Sequence, residues 1–366
     1  MKNFIFTMMA VVLTLNIVGC SNNDDETEGK EQISEKNVVI RIGGMQVRAA
    51  ATGEAIGTKK AILNDGYIVF TTSGGGITKI VQFSTGGTIT PAMLDAGYTF
   101  SNIPGNSTQV AIYGNIPPAI PLPAGGSIAT LNALLINVAT QADVSEGVDR
   151  VTLYGGSAIG GTAPDYTATF NIAPIAARIE IADVIPDPAS KLISFKVEAI
   201  FINNYFLTSQ IDGNKNTEVD NGLVNNGMGG STIYSDGVAP YISGFPLYNS
   251  DVTAGLTPAA PKVWAYNVFA PANNTTEHTH VILRLSNIVA SEGSYPGVQF
   301  VTIKKFRTKD ETPVVLNFLT AGRVYELGTV KIKETDIQEE AEIGEIDVVI
   351  DVNVVSWVPV PVNPEI

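Results

Sequence analysis

The sequence predicts an all-β protein of two β-sandwich domains with at most a short helix or two, and three observations carry that prediction. Charged residues make up only 16% of the chain, while glycine (35) and proline (20) are plentiful. That is the balance of a β-rich exported protein whose loops are built from turn formers and not from Lys and Glu. Short runs of apolar alternation recur along the chain, each bounded by Gly, Asn, Asp or Pro, as strands separated by turns are. No motif repeats at a fixed short period, which argues against a solenoid, and 366 residues is the length of about two domains.

The chain opens with a basic Met1-Lys2-Asn3 and an apolar run from Phe4 to Val18. That run is shorter than the roughly 20 residues a helix needs to span a bilayer, so it reads as an export signal. It ends in Ile17-Val18-Gly19-Cys20, and Cys20 is the only cysteine. No disulfide can form within one chain, so the core must stabilise the fold without covalent help. Residues 21–37 (SNNDDETEGKEQISEKN) hold one apolar side chain and are expected to form a flexible acidic tether. The net charge of −14 argues against nucleic acid or anionic lipid as a partner through bulk electrostatics.

Structure is expected from Val38. Val38, Ile40 and Ile42 share one face of a strand, and Met45 and Val47 continue it past Gly43-Gly44, a bulge or break. Further strands are expected at 66–71, 77–83, 98–103, 109–113 and 150–156. One helix is expected at 127–140, where Ser127 can cap an apolar face of Ile128, Leu131, Leu134 and Val138. A glycine-rich stretch at 155–165 marks the expected boundary, giving an N-terminal domain at 38–160 and a C-terminal one at 161–366. The second half offers strands at 166–172, 177–184, 194–206, 262–271, 280–288, 297–306 and 323–332. The tail holds the strongest alternation: Ile346, Val348, Ile350, Val352 and Val354, then Trp357 and VPVPV, after an acidic spacer KETDIQEEAEIGE. A long apolar strand at the end of a chain needs a pairing partner, because an unpaired one invites aggregation.

These residues together resemble the fimbrillins of Bacteroidetes, the subunits of type V pili. The resemblance rests on the lipobox ending in Cys20, GMQVRAA after the first strand, LYGG, IAPIAARIEI opening the second half, YELGTVKI, and the VNVVSWVPVPV tail. It implies two transthyretin-like β-sandwich domains exported as a lipoprotein, with lipid on Cys20 and an outer-membrane precursor stage. It further implies that an arginine-specific maturation protease removes the lipid and the first strand. The C-terminal strand of another subunit then fills the groove, building a cell-surface fimbrium that serves adhesion to a host or bacterial surface ligand. The cleavage arginine maps to Arg48; Arg41 lies inside the alternation, where pairing would protect it. A cut after Arg48 leaves 366 − 48 = 318 residues and removes Val38, Ile40, Ile42, Met45 and Val47. Ile346, Val348, Ile350, Val352 and Val354 match them in size and spacing. At about 1.5–3 kcal/mol per buried aliphatic side chain, the exchange is worth on the order of 10 kcal/mol before ordering costs. The presence of both strands favours a stalk subunit over a tip or anchor.

Catalytic and metal chemistry find little purchase, and no enzyme activity or cofactor is expected. His278 and His280 in TEHTH could share one face of a strand beside Glu277, but no third ligand is recognisable, and a solvated pair is expected. GGSAIGG at 155–161 is not a nucleophile elbow, because Ile159 stands where the second glycine is needed. SGGGITK has neither the spacing nor the context of a phosphate loop. The rival class is a monomeric surface lipoprotein that keeps its lipid and binds glycans through loop aromatics such as Tyr241 and Tyr248. Signal and lipobox suit both classes; Arg48 and the self-complementary tail suit only the fimbrial one.

Overall fold

The structure, a computed structural model, describes residues 34–42, 61–122, 124–141, 151–203, 205–214, 223–224, 264–269, 279–304, 306–308, 315–316, 319–340 and 351–356. The chain is mostly β, with two short α-helices among the described residues. The first half contributes β1 (Glu35–Ile42), β2 (Asp65–Thr71), β3 (Ile77–Ser84), β4 (Tyr98–Pro104), β5 (Gln109–Gly114), β6 (Leu135–Asn137), β7 (Leu153–Ala158), β8 (Gly160–Thr162), β9 (Asp165–Phe170) and β10 (Ala173–Pro174). Two sheets arise from them, in the orders β4-β1-β9-β8 and β10-β7-β5-β2-β3.

The second half contributes β11 (Ala177–Pro186), β12 (Leu192–Asn203), β13 (Tyr205–Phe206), β14 (Thr208–Gln210), β15 (Leu223–Val224), β16 (Trp264–Val268), β17 (His280–Ala290), β18 (Gln299–Ile303), β19 (Phe306–Thr308), β20 (Val315–Leu316), β21 (Arg323–Ile332) and β22 (Asp351–Ser356). They form a six-stranded sheet, β16-β11-β21-β22-β19-β20, a three-stranded sheet, β12-β17-β18, and the pair β13-β15. Strand β14 crosses back to pair with β6 of the first half.

Two expected boundaries move. Strand β1 begins at Glu35, inside the polar stretch read as tether, because Lys36 pairs with Ile103 and is held by the ladder. The division at 160/161 falls inside the first set of sheets: β8 and β9 pair with each other, β9 with β1, and β10 with β7. The changeover lies between Pro174 and Ala177. Gly155 therefore serves close strand packing and not a linker. A Cβ on Gly155 would sit 2.4 Å from the Asn171 carbonyl oxygen.

Local sequence explains the helices. Helix α1 (Pro91–Ala96) starts behind Thr90, whose hydroxyl accepts the Met93 amide, has Pro91 in its first turn, and stops at Gly97 with φ +97°. Those are the usual start and stop devices, and Leu94 anchors the turn in the core. Helix α2 (Ile128–Asn132) is capped by Ser127, which accepts the Ala129 amide at 3.1 Å. It is shorter than the helix expected at 127–140. Residues 135–137 instead pair with Thr208, Ser209 and Gln210, and Val138–Gln141 closes a 3-10 turn. The β-branched Ile136, Val138 and Thr140 have little to lose by leaving the helix, and β14 supplies the backbone partners.

A buried polar chain links the halves. Asn115 donates to the Ile62 and Val151 carbonyls, Gln141 accepts the Thr152 amide at 2.9 Å, and the Asn267 side chain donates to the Gln141 carbonyl at 2.8 Å. Buried polar groups paired in this way avoid the desolvation cost that unpaired ones incur.

Candidate strand-exchange interface

Strand β1 lies inside its sheet, antiparallel to β4 on one side and parallel to β9 on the other. Its sequence EKNVVIRI alternates, so Val38, Ile40 and Ile42 turn into the core while Asn37 and Arg41 face outward. The period-two geometry of a strand requires this. Val38 lies opposite Phe100 and Tyr166, and Ile40 opposite Tyr98 and Ala168. Phe100 meets Phe70 and Tyr98 edge-on, at centroid distances of 5.8 and 4.8 Å. That arrangement suits aromatic quadrupoles and ties β4, the strand's antiparallel neighbour, to β2 of the other sheet.

Two cationic side chains fasten β1 outside the ladder. The Lys36 ammonium donates to the Ser107 carbonyl and stands 4.6 Å from the centre of the Tyr166 ring, a cation–π geometry. Burial pulls its pKa below the ordinary lysine value. The Arg41 guanidinium donates to the Ala96 carbonyl at 3.3 Å, at the last residue of α1. There it favours the charged form of Asp95, although burial is the larger effect and raises that carboxyl's pKa. Neither fastening was singled out in the sequence. The available signal was the pair of cations, Lys36 and Arg41, within the strand segment EKNVVIRI.

The tail strand has a matching environment in its own chain. Strand β22 is antiparallel to β21, with Val352 opposite Leu327 and Val354 opposite Tyr325. On its other edge it runs parallel to β19, through Asp351 and Val352. Both β1 and β22 thus lie between one antiparallel and one parallel neighbour. Cys20, Met45, Val47, Arg48, Ile346, Val348, Ile350 and Trp357 lie outside the described residues.

The histidine expectation is corrected at one position. His280 is 2% exposed, at the start of β17, where the ladder with β12 pairs it with Asn203; His278 lies outside the described residues. Among the described residues no group of three His, Cys, Asp or Glu could hold a metal ion. Buried charge does occur at Arg178, on β11 between Asn267 and Val324. Glu198 accepts the Ser286 hydroxyl and lies 3.6 Å from the Arg284 guanidinium.

This fold is one known from solved structures of Bacteroidetes fimbrial and adhesion proteins. The chain is similar to a fimbrillin from Porphyromonas gingivalis W83, with TM-score 0.55 and 15% identity over 89% of this chain and 98% of that one. It is also similar to a proposed cell adhesion protein from Bacteroides eggerthii DSM 20697, with TM-score 0.51 and 12% identity over 88% and 96% of the two chains. Another proposed cell adhesion protein, from Parabacteroides distasonis ATCC 8503, gives TM-score 0.50 and 12% identity over 90% and 99%. At these identities the likeness is one of fold. No family model and no curated protein matches the chain.

Proposed function

We propose that the chain is a structural fimbrial subunit, built of two transthyretin-like β-sandwich domains and polymerised by β-strand exchange. It is exported as a lipoprotein on Cys20, cleaved after Arg48 by a maturation protease, and joined to further copies at the cell surface to serve adhesion. Residues 346–366 of one subunit replace the removed strand of the next, a mode in which main-chain hydrogen bonds give strength and alternate side chains give specificity. A head-to-tail contact of that kind does not close on itself and so grows a filament.

The observation that carries this reading is the position of β1. An edge strand would leave a sheet intact when removed. A strand between β4 and β9 leaves an open slot, with unpaired backbone groups on both walls and buried residues such as Phe100 and Ala168 newly exposed. Such a slot demands an occupant. The shared fold with a fimbrillin supports the reading.

The Arg48→Ala variant tests it in cells. Full-length chains retaining residues 34–48, with no filaments by electron microscopy, are expected. Filaments formed by that variant would remove Arg48 from the mechanism. Filaments formed after deletion of residues 346–366 would overturn the donor assignment.

A further inference from the structure

The run Asp165–Pro186 passes from one set of sheets to the other. At its start, β9 forms the parallel wall of the β1 slot, from Tyr166 opposite Val38 to Phe170 opposite Ile42. At its end, β11 pairs in parallel with β21, from Arg178 opposite Val324 to Pro186 opposite Ile332. Strand β21 then leads covalently, through residues 333–340, into the C-terminal tail. One covalent run and one ladder therefore connect the slot to the tail.

The crossing between β9 and β11 is clamped. Ile172, Ile175 and Ala176 are buried. The Ile175 amide donates to the Thr152 carbonyl at 3.0 Å, and the Gly322 amide to the Ala176 carbonyl at 2.8 Å. Three glycines from separate parts of the chain close around it. A Cβ on Gly155 would meet the Asn171 carbonyl oxygen at 2.4 Å, one on Gly213 the Ile175 side chain at 3.1 Å, and one on Gly322 the Ala173 Cβ at 3.3 Å. Gly213 and Gly322 also have φ near +80° and +73°, so side chains there would be strained as well as crowded. A hinge needs room, and this crossing has none.

We propose that Asp165–Pro186 is the tension-carrying strut of the subunit, loaded in shear at both ends. The proposal takes its purpose from the strand-exchange reading. Along a filament, the slot occupant is pulled at its N-terminal end and β9 at its C-terminal end. In a parallel pair those are opposite ends. Strand β11 is pulled at its N-terminal end and β21 at its C-terminal end, again opposite ends of a parallel pair. Ladder hydrogen bonds run across the strands, so a force along the strands loads them together and does not open them one by one. The occupant must enter with the direction of β1, parallel to β9, for this to hold.

The test uses single molecules of the full chain, with β1 as the occupant, so it does not depend on whether filaments form. Cys20→Ser removes the only cysteine, and Ser34→Cys with Glu339→Cys supplies attachment points. Pulling between 34 and 339 is expected to need a several-fold higher rupture force than pulling between Gly43→Cys and Glu339→Cys, which peels β1 from its other end. Equal forces would overturn the proposal. In the first geometry, Ile175→Ala is expected to lower the force, while Asn267→Ala, which breaks the contact to the Gln141 carbonyl, leaves it unchanged. The reverse pattern would place the load on the Asn267–Gln141 contact and overturn the assignment.

Discussion

Ile40 and Ala168 face each other in a parallel ladder, both buried, at the centre of the sheet that holds the first strand. Ala168 of β9 lies opposite Ile40 on one side, and Tyr98 of β4 on the other. The first strand is thus a structural part of the core and not an appendage to it.

Ile40→Ala should therefore destabilise the full-length chain by about 2–5 kcal/mol, the range for truncating a buried aliphatic in a close-packed core. The denaturant midpoint should fall with little change in slope. In a subunit that has lost the strand by cleavage after Arg48, the same substitution has no residue left to act on, so assembled filaments should be as stable as wild type.

Lys36→Met keeps an aliphatic stem along Tyr166 and removes the charge. It loses the bond to the Ser107 carbonyl and the ring contact, worth about 1–2 kcal/mol together at a partly buried site. Hydrogen exchange should show faster opening at the N-terminal end of β1, with the amides of β5 unaffected. Uniform acceleration across the sheet would contradict a local fastening.

Asp336 supplies a pH dependence. Burial raises its pKa above the ordinary aspartate value, against the lowering effect of the Lys333 amide, which donates to it at 2.7 Å. A carboxyl whose pKa is higher in the folded than in the unfolded state costs stability once pH exceeds both values. That cost disappears as pH falls through the folded value. Asp336→Asn can still accept the Lys333 amide without a charge to bury. It should be no less stable than wild type at neutral pH, and the stability difference between the two should shrink on acidification. A difference that grows on acidification would contradict the assignment.

Much of this fold was legible because apolar alternation is a local signal. Val38, Ile40 and Ile42 announced β1, and RVYELGTVKI matches β21 from Arg323 to Ile332. Most of the failures share a cause, in that distant partners decided the outcome. Ser127 did cap a helix, but β14, arriving from residue 208, turned residues 135–137 into a strand. The glycines at 155–161 resembled a linker because nothing local reveals that Asn171 packs against Gly155. Helix α1 carried its own signals in Thr90 and Pro91 and was missed for its six-residue length. At the candidate site, the apolar face of β1 was readable, while the fastening by Lys36 and Arg41 depends on carbonyls far along the chain at Ser107 and Ala96.

In the proposed filament, the working subunit lacks its first strand and holds a neighbour's tail instead. Mass spectrometry of protein sheared from the cell surface tests it most directly. Chains that begin at Ala49 and run as high-mass ladders until heated are expected. A mature chain that still begins at lipidated Cys20 and is recovered only as monomer would contradict it.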